Sequence, residues 1–261
     1  MSATSQTLQI YERLRAAVLA LDLAPGERLT ERGLEGSLDA SRTPVRAALT
    51  RLETEGLVRR EGRGWIVAPI DLREIRALAE LREAVESAAV RYAVERASEA
   101  DITAVAELLD MARPAQDEEE SVRAGGDFHV ELARLSDNAF MVDTVRGAMT
   151  RLARTRWLEV RTAESRDQAL REHKGVLDAI LAREADTAAR LVAEHIRGTN
   201  ERLLGFLAAE HRKLRGRGLS IVGDARNPGT TPVMGFSPLA NSNAQAPIEQ
   251  APGVMPCLAH P

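Results

Sequence analysis

The chain is poor in aromatic residues: four Phe, two Trp and two Tyr among 261 residues, or 3 %. Hydrophobic residues still make up 44 %, so a core can form, but it must be built from Leu, Val, Ile and Ala. There is one cysteine, Cys257, which excludes an intrachain disulfide and a Cys-based zinc site and fits a reducing cytoplasm. Lysine is almost missing; of 35 basic residues only Lys174 and Lys213 are not arginine. No apolar stretch approaches the length of a membrane span, and no basic region followed by an apolar run marks a signal peptide. The expectation is a cytoplasmic protein with no membrane partner. A net charge of -4 argues against a generally basic nucleic-acid coat. It leaves room for a local basic face, because counterion release depends on the surface that meets phosphate.

The length allows two modest domains and a tail. Leu8, Tyr11, Leu14, Val18 and Leu21 recur at helical spacing, and Pro25-Gly26 ends that segment. A short second helix is expected from Thr30, and a third from the N-cap Ser41, with Val45, Ala48, Leu49 and Leu52 as its buried stripe. Residues 57–60 and 65–67 read as two strands joined at Glu61-Gly62-Arg63-Gly64. From Asp71 the period is helical, with helices near 72–96, 99–113, 118–135, 139–160, 164–182 and 185–211. After about Arg212 the pattern collapses into Gly, Pro, Asn, Ser and Ala. The fold class is mainly α. Residues 1–70 are expected as one domain of three helices and a hairpin, 71–212 as an antiparallel all-α bundle, and 213–261 as a disordered tail.

Three helices followed by a hairpin is the winged-helix order. Arg42, Thr43, Arg46 and Thr50 fall opposite the buried stripe of the third helix, and Arg is suited to reading guanine and clamping phosphate. Ser41 and the free N–H groups at that helix start can hold a phosphate, and Arg63 on the hairpin tip can reach a neighbouring groove. Between Ser41 and Arg63 there are six Arg against three Glu. Tyr11 to Val67 resembles the DNA-binding domain of the GntR family through Pro25-Gly26-Glu27-Arg28-Leu29, the run Ser41-Arg42-Thr43-Pro44-Val45-Arg46, Glu55-Gly56-Leu57-Val58 and Gly62-Arg63-Gly64. The resemblance implies that Arg32, Arg42 and Arg46 contact DNA, with Ser41 and Thr43 on the backbone and the wing tip at Gly62 and Arg63. Gly33, Gly36 and Asp39 depart from it, standing where the family prefers helix formers and a turn glycine.

His129, His173 and His195 each lie on the apolar stripe of their helix. With a turn near Arg183, His173 and His195 lie about eleven residues either side, roughly 16 Å each way, so an antiparallel hairpin sets them level. His211 is roughly 24 Å farther along and falls outside. Imidazoles converging in a dry pocket suit Zn or Ni; the alternative is a metal-free pocket lined by histidine.

Residues 71 to about 211 resemble the ligand-binding domain of the fatty-acid-regulator branch of GntR proteins, called FCD. The matching pieces include Leu81-Arg82, Val85-Glu86, Asp127-Phe128-His129, Ser136-Asp137-Asn138, Glu172-His173 and His195. The resemblance implies a divalent metal held by three His and one Asp. The usual Asp position is Gly125 here, and Asp127, the doubtful substitute, points about 160° away in a regular helix. Arg82 and Arg156 are candidate anchors for a carboxylate effector, with Asn138 beside them; an ion pair of an inward Arg with Glu86 is the plainer possibility. The whole reads as an effector-controlled repressor acting as a homodimer on near-palindromic operator DNA. The alternative is a His-cluster metalloenzyme with an accessory winged helix, for which Glu131 and Glu172 lack an inward position.

Overall fold

A computed structural model describes residues 3–112, 118–156, 162–216 and 218–223. The first helix, α1 (Ala3–Leu19), buries Ile10, Tyr11, Leu14 and Val18. Leu8 is exposed, and Leu21 lies beyond the helix at φ +64°, so the expected stripe is shifted at both ends. The strand β1 (Arg28–Leu29) precedes α2 (Glu31–Leu38), which Thr30 caps by accepting from the Gly33 amide at 3.0 Å. Asp39 ends α2 at φ +48°, the left-handed position that a glycine would take at less cost. The third helix, α3 (Arg42–Thr54), buries Val45, Ala48, Leu49 and Leu52 completely.

Two strands form the wing, β2 (Val58–Glu61) and β3 (Gly64–Val67), with Glu61 opposite Gly64 across a two-residue loop. Gly62 is at φ +60°, the first central position of that loop, where a side chain would be strained. The sheet has the order β1-β3-β2, all antiparallel; β1 is too short to read from the sequence. Trp65 is fully buried in the core that also holds Val18, Leu49 and Leu52, and Arg60 lies 3.9 Å over its ring.

The strand β4 (Ile70–Asp71) leads into α4 (Leu72–Arg96), whose start Asp71 caps through the Arg73 amide. The bundle continues with α5 (Glu99–Ala112), α6 (Glu118–Arg134), α7 (Ala139–Arg156), α8 (Ala163–Leu181) and α9 (Ala185–Gly216). These agree closely with the six expected helices; the ends expected for the second, at 113, and the fourth, 157–160, lie outside the described residues. Thr162 and Ser165 form a reciprocal capping box at α8. Arg183 turns the chain at φ +59°, so that α8 and α9 pack as a hairpin. The core joins Val90, Ala93, Ile102, Phe128, Leu132, Val176, Leu177, Ile180, Val192 and Ile196.

One edge differs from the expectation. Residues past 212 do not all leave the fold: α9 runs to Gly216, Leu214 and Ile221 are buried, and β5 (Ile221–Val222) pairs in parallel with β4. A few apolar residues are too few to show a period, and the partner strand is distant in sequence. The expected disorder of the remaining tail falls on residues 224–261, outside those described.

Candidate functional site

The buried face of α4 carries Ile75, Ala79, Arg82, Glu86, Ala89, Val90 and Ala93. Arg82 and Glu86 therefore lie on the inward stripe itself, and the neighbouring Leu81 is exposed. One turn apart on a helix, the two side chains meet: Arg82 Nε donates to Glu86 Oε1 at 2.8 Å. The plainer possibility for Arg82 is thus present. Its Nη2 is buried and makes no hydrogen bond. An unsatisfied buried donor of this kind costs about 1–3 kcal/mol, more when charged.

His129, His173 and His195 come together from α6, α8 and α9, all three buried, with one ring nitrogen of each within 4.8 Å of the others. His173 Nε2 and His195 Nε2 are 3.1 Å apart. Two imidazole nitrogens on one tetrahedral Zn would lie about 3.3 Å apart, from bonds of about 2.0–2.1 Å. The donor set therefore fits a divalent cation. Phe128 stacks on His173 with centroids 4.0 Å apart, closing one side with an apolar wall.

Two carboxylates hold the outer nitrogens. His129 Nδ1 is 2.7 Å from Glu86 Oε2, and His195 Nδ1 is 2.6 Å from Glu172 Oε2. An ionised carboxylate can only accept, so each ring carries its proton on Nδ1 and keeps the Nε2 lone pair for the cluster. Burial holds all three imidazoles below their ordinary pKa, and the neighbouring Arg82 and histidines add to this at His129 and His173. At His195 the Glu172 hydrogen bond opposes the burial without cancelling it. Burial also works against the Glu172 charge, but hydrogen bonds from His195 and Gln168 keep that carboxyl below its usual value. The cluster thus holds neutral imidazoles, the form that ligates metal. Neither carboxylate was expected as a partner of a histidine, because Glu172 meets His195 only across the packed α8–α9 hairpin.

Arg156 is buried, and its Nη1 would be 3.5 Å from a Cβ built on Gly126, one turn before His129. It adds to the depression of both His129 and His173. The structure therefore brings Arg82 and Arg156 to the histidines. Two expected residues are not brought there. Asp127 is exposed and outside the cluster, as a regular helix at that point dictates. Asn138 uses its Oδ1 to cap α7, accepting from the amides of Phe140 at 3.1 Å and Met141 at 3.3 Å.

In the winged helix, Arg32, Ser41, Arg42, Thr43, Arg46, Gly62 and Arg63 are all exposed. Ser41 stands at the N-cap of α3 with no capping bond from its hydroxyl. Arg42 is held by α2, its Nε 2.9 Å from Glu35 Oε1 and 3.8 Å from Glu31 Oε2.

Comparison with known proteins follows the same division. Residues 6–67 match the model for bacterial regulatory proteins of the gntR family, and residues 77–198 match the FCD domain. The Nta operon transcriptional regulator of Aminobacter aminovorans is 33 % identical over 190 residues, covering 70 % of this chain and 87 % of the relative. The HTH-type transcriptional repressor RspR of Escherichia coli is 26 % identical over 197 residues, covering 74 % and 86 %. Among solved structures, a GntR transcriptional regulator from Rhodococcus sp. RHA1 has a TM-score of 0.66 at 24 % identity, over 77 % of this chain and 98 % of its own. Escherichia coli McbR/YncC has a TM-score of 0.63 at 23 % identity, over 78 % and 97 %. These two structures bear on the fold alone. The relatives are regulators, and the metalloenzyme alternative is set aside: the protein is a transcription regulator and not an enzyme. The chain belongs to the GntR family of bacterial regulatory proteins, with an FCD domain following its winged helix-turn-helix.

Proposed function

We propose that the protein is an effector-controlled repressor, homodimeric on a near-palindromic operator, in which a small carboxylate binds beside a divalent cation held by His129, His173 and His195. The observation that carries this reading is the buried triad, with the outer nitrogens of His129 and His195 fixed by Glu86 and Glu172. Zn or Ni suits such a set, and the ion would supply a positive, Lewis-acidic contact for a carboxylate oxygen. With Gly125 in place of the usual acid and Asp127 turned outward, the described residues provide three ligands, which leaves a position for the effector. Arg82 Nη2 is the buried donor that a second carboxylate oxygen would satisfy, with Arg156 beside the cluster as further counter-charge. The fatty-acid-regulator branch is the one whose ligand pattern this most resembles.

On the DNA side, Arg42 and Arg46 on one face of α3 read base edges, with Arg32 adding a contact from α2. Ser41 and Thr43 hold a backbone phosphate, and Gly62 and Arg63 bring the wing to the next groove. One recognition helix reads too few bases for a genome, so two must act together. The test combines elemental analysis of purified protein, a thermal-shift screen of small carboxylates with and without zinc, and a mobility shift on operator DNA. The expected result is about one metal per chain, a carboxylate-dependent rise in midpoint that needs zinc, and a changed shift with effector. Protein that refuses zinc and nickel yet responds to a carboxylate would reduce the site to a metal-free histidine pocket.

A further inference from the structure

The FCD match ends at residue 198, but the described chain runs on through α9 and then turns back as residues 218–223. Ser220 donates its amide to Pro25 O at 2.9 Å, in the turn before β1 of the winged helix. The Ser220 carbonyl accepts from the Ile70 amide at 2.9 Å, in the strand that joins the two domains. Ile221 and Val222 continue the ladder opposite Ile70 and Asp71. The approach is close on both sides. A Cβ on Gly26, at φ +88°, would fall 2.5 Å from Ser220 Cβ, and one on Gly223 would fall 3.0 Å from Asp71 Oδ1. Leu214 and Ile221 are buried with Ile70, Leu72, Ile75, Leu152, Leu203 and Leu207. One short segment is thus bonded to the DNA-reading domain, to the joint and to the base of the bundle. The same helix that leads into it, α9, carries His195 about 28 Å away.

We propose that Leu214 and residues 218–223 are an intramolecular clasp that holds the winged helix in one orientation on the helical domain. Elsewhere among the described residues, α1 touches α7, Arg154 donates to Ala68 O, and Arg151 lies against Gly56 while pairing with Glu74. These contacts are few, and relative motion is the default for domains with a small interface. The clasp adds backbone hydrogen bonds at the Pro25 turn and at Ile70. Fixing the orientation before DNA is met lowers the ordering cost of binding, so it favours the operator complex.

The experiment places spin labels on the full chain at Glu12→Cys and Glu99→Cys, both exposed, in a Cys257→Ser background, diluted with unlabelled protein. A narrow distance distribution is expected. Ser220→Pro, which removes the donor to Pro25, and Ile221→Asp, which unseats the buried anchor, should each broaden it and weaken operator binding severalfold, with helix content unchanged. Val222→Ser, on the exposed side of β5, should do neither. A distribution that stays narrow in both Ser220→Pro and Ile221→Asp would overturn the clasp, as would equal broadening by Val222→Ser. The distance measurement does not depend on the operator or the effector, so it separates this proposal from the reading of the sensor.

Discussion

Glu172 Oε2 lies 2.6 Å from His195 Nδ1, and the contact faces away from the cluster of three histidines. It sets which nitrogen of His195 is left with a lone pair, and Glu86 does the same for His129. Removing the charge should therefore weaken metal binding without removing a ligand. Glu172→Gln and Glu86→Gln are each expected to lower zinc affinity by about 10–100-fold. Competition with a chromophoric chelator measures this; unchanged affinity in both would show that the carboxylates do not orient the rings.

Loss of a ligand is expected to do more. His173→Ala and His195→Ala should each abolish stoichiometric metal and the zinc-dependent part of effector binding. Mass spectrometry under native conditions reads both. Retention of one tightly bound ion in both variants would place the metal elsewhere.

Arg42 is engaged by Glu35 at 2.9 Å, a partner it would exchange for DNA in the proposed role. Arg46→Ala and Arg42→Ala should each weaken operator binding by about 1–3 kcal/mol and relax specificity at one base position. Glu35→Gln should strengthen binding modestly, because an exposed pair is worth at most about 1 kcal/mol. Fluorescence anisotropy at fixed salt checks all three; tighter binding by Arg42→Ala would reverse the assigned role.

Gly56 ends α3 at φ +73°, and a Cβ there would lie 2.6 Å from the Arg151 guanidinium carbon. The Arg151 tip can move aside, at the expense of its 2.7 Å bond to Glu74, but the backbone strain remains. Gly56→Ala is expected to destabilise by about 1–3 kcal/mol. Urea denaturation measures it, and a neutral result would mean the turn relaxes.

In chelator-treated protein, acid should act through the triad. Burial keeps the three imidazoles below their ordinary value of 6.5, whereas the unfolded chain protonates there. Since the unfolded state then binds more protons, stability is full above about pH 6.5 and falls as the pH drops below it. The slope is up to about 1.4 kcal/mol per pH unit for each histidine. Thermal midpoints between pH 8 and 5.5 test this, with a flat profile as the contrary result.

Much of the architecture is local and so was legible in the chain. The period of 3.6 marks six bundle helices, the Ser41-Arg42-Thr43-Pro44-Val45-Arg46 run marks a recognition helix, and the even spacing of His173 and His195 about a turn brings them level. What tertiary structure alone decided is non-local. Glu86 and Glu172 become partners of histidines on other helices only after packing. Asn138 was spent on a helix cap because an amide next to a helix start finds backbone donors first. Ile221 joins a strand that lies on the far side of the whole bundle in sequence, a pairing that no periodicity announces. Spacing along one helix fixes a face, whereas contact between helices depends on how side chains of different size fill the space between them.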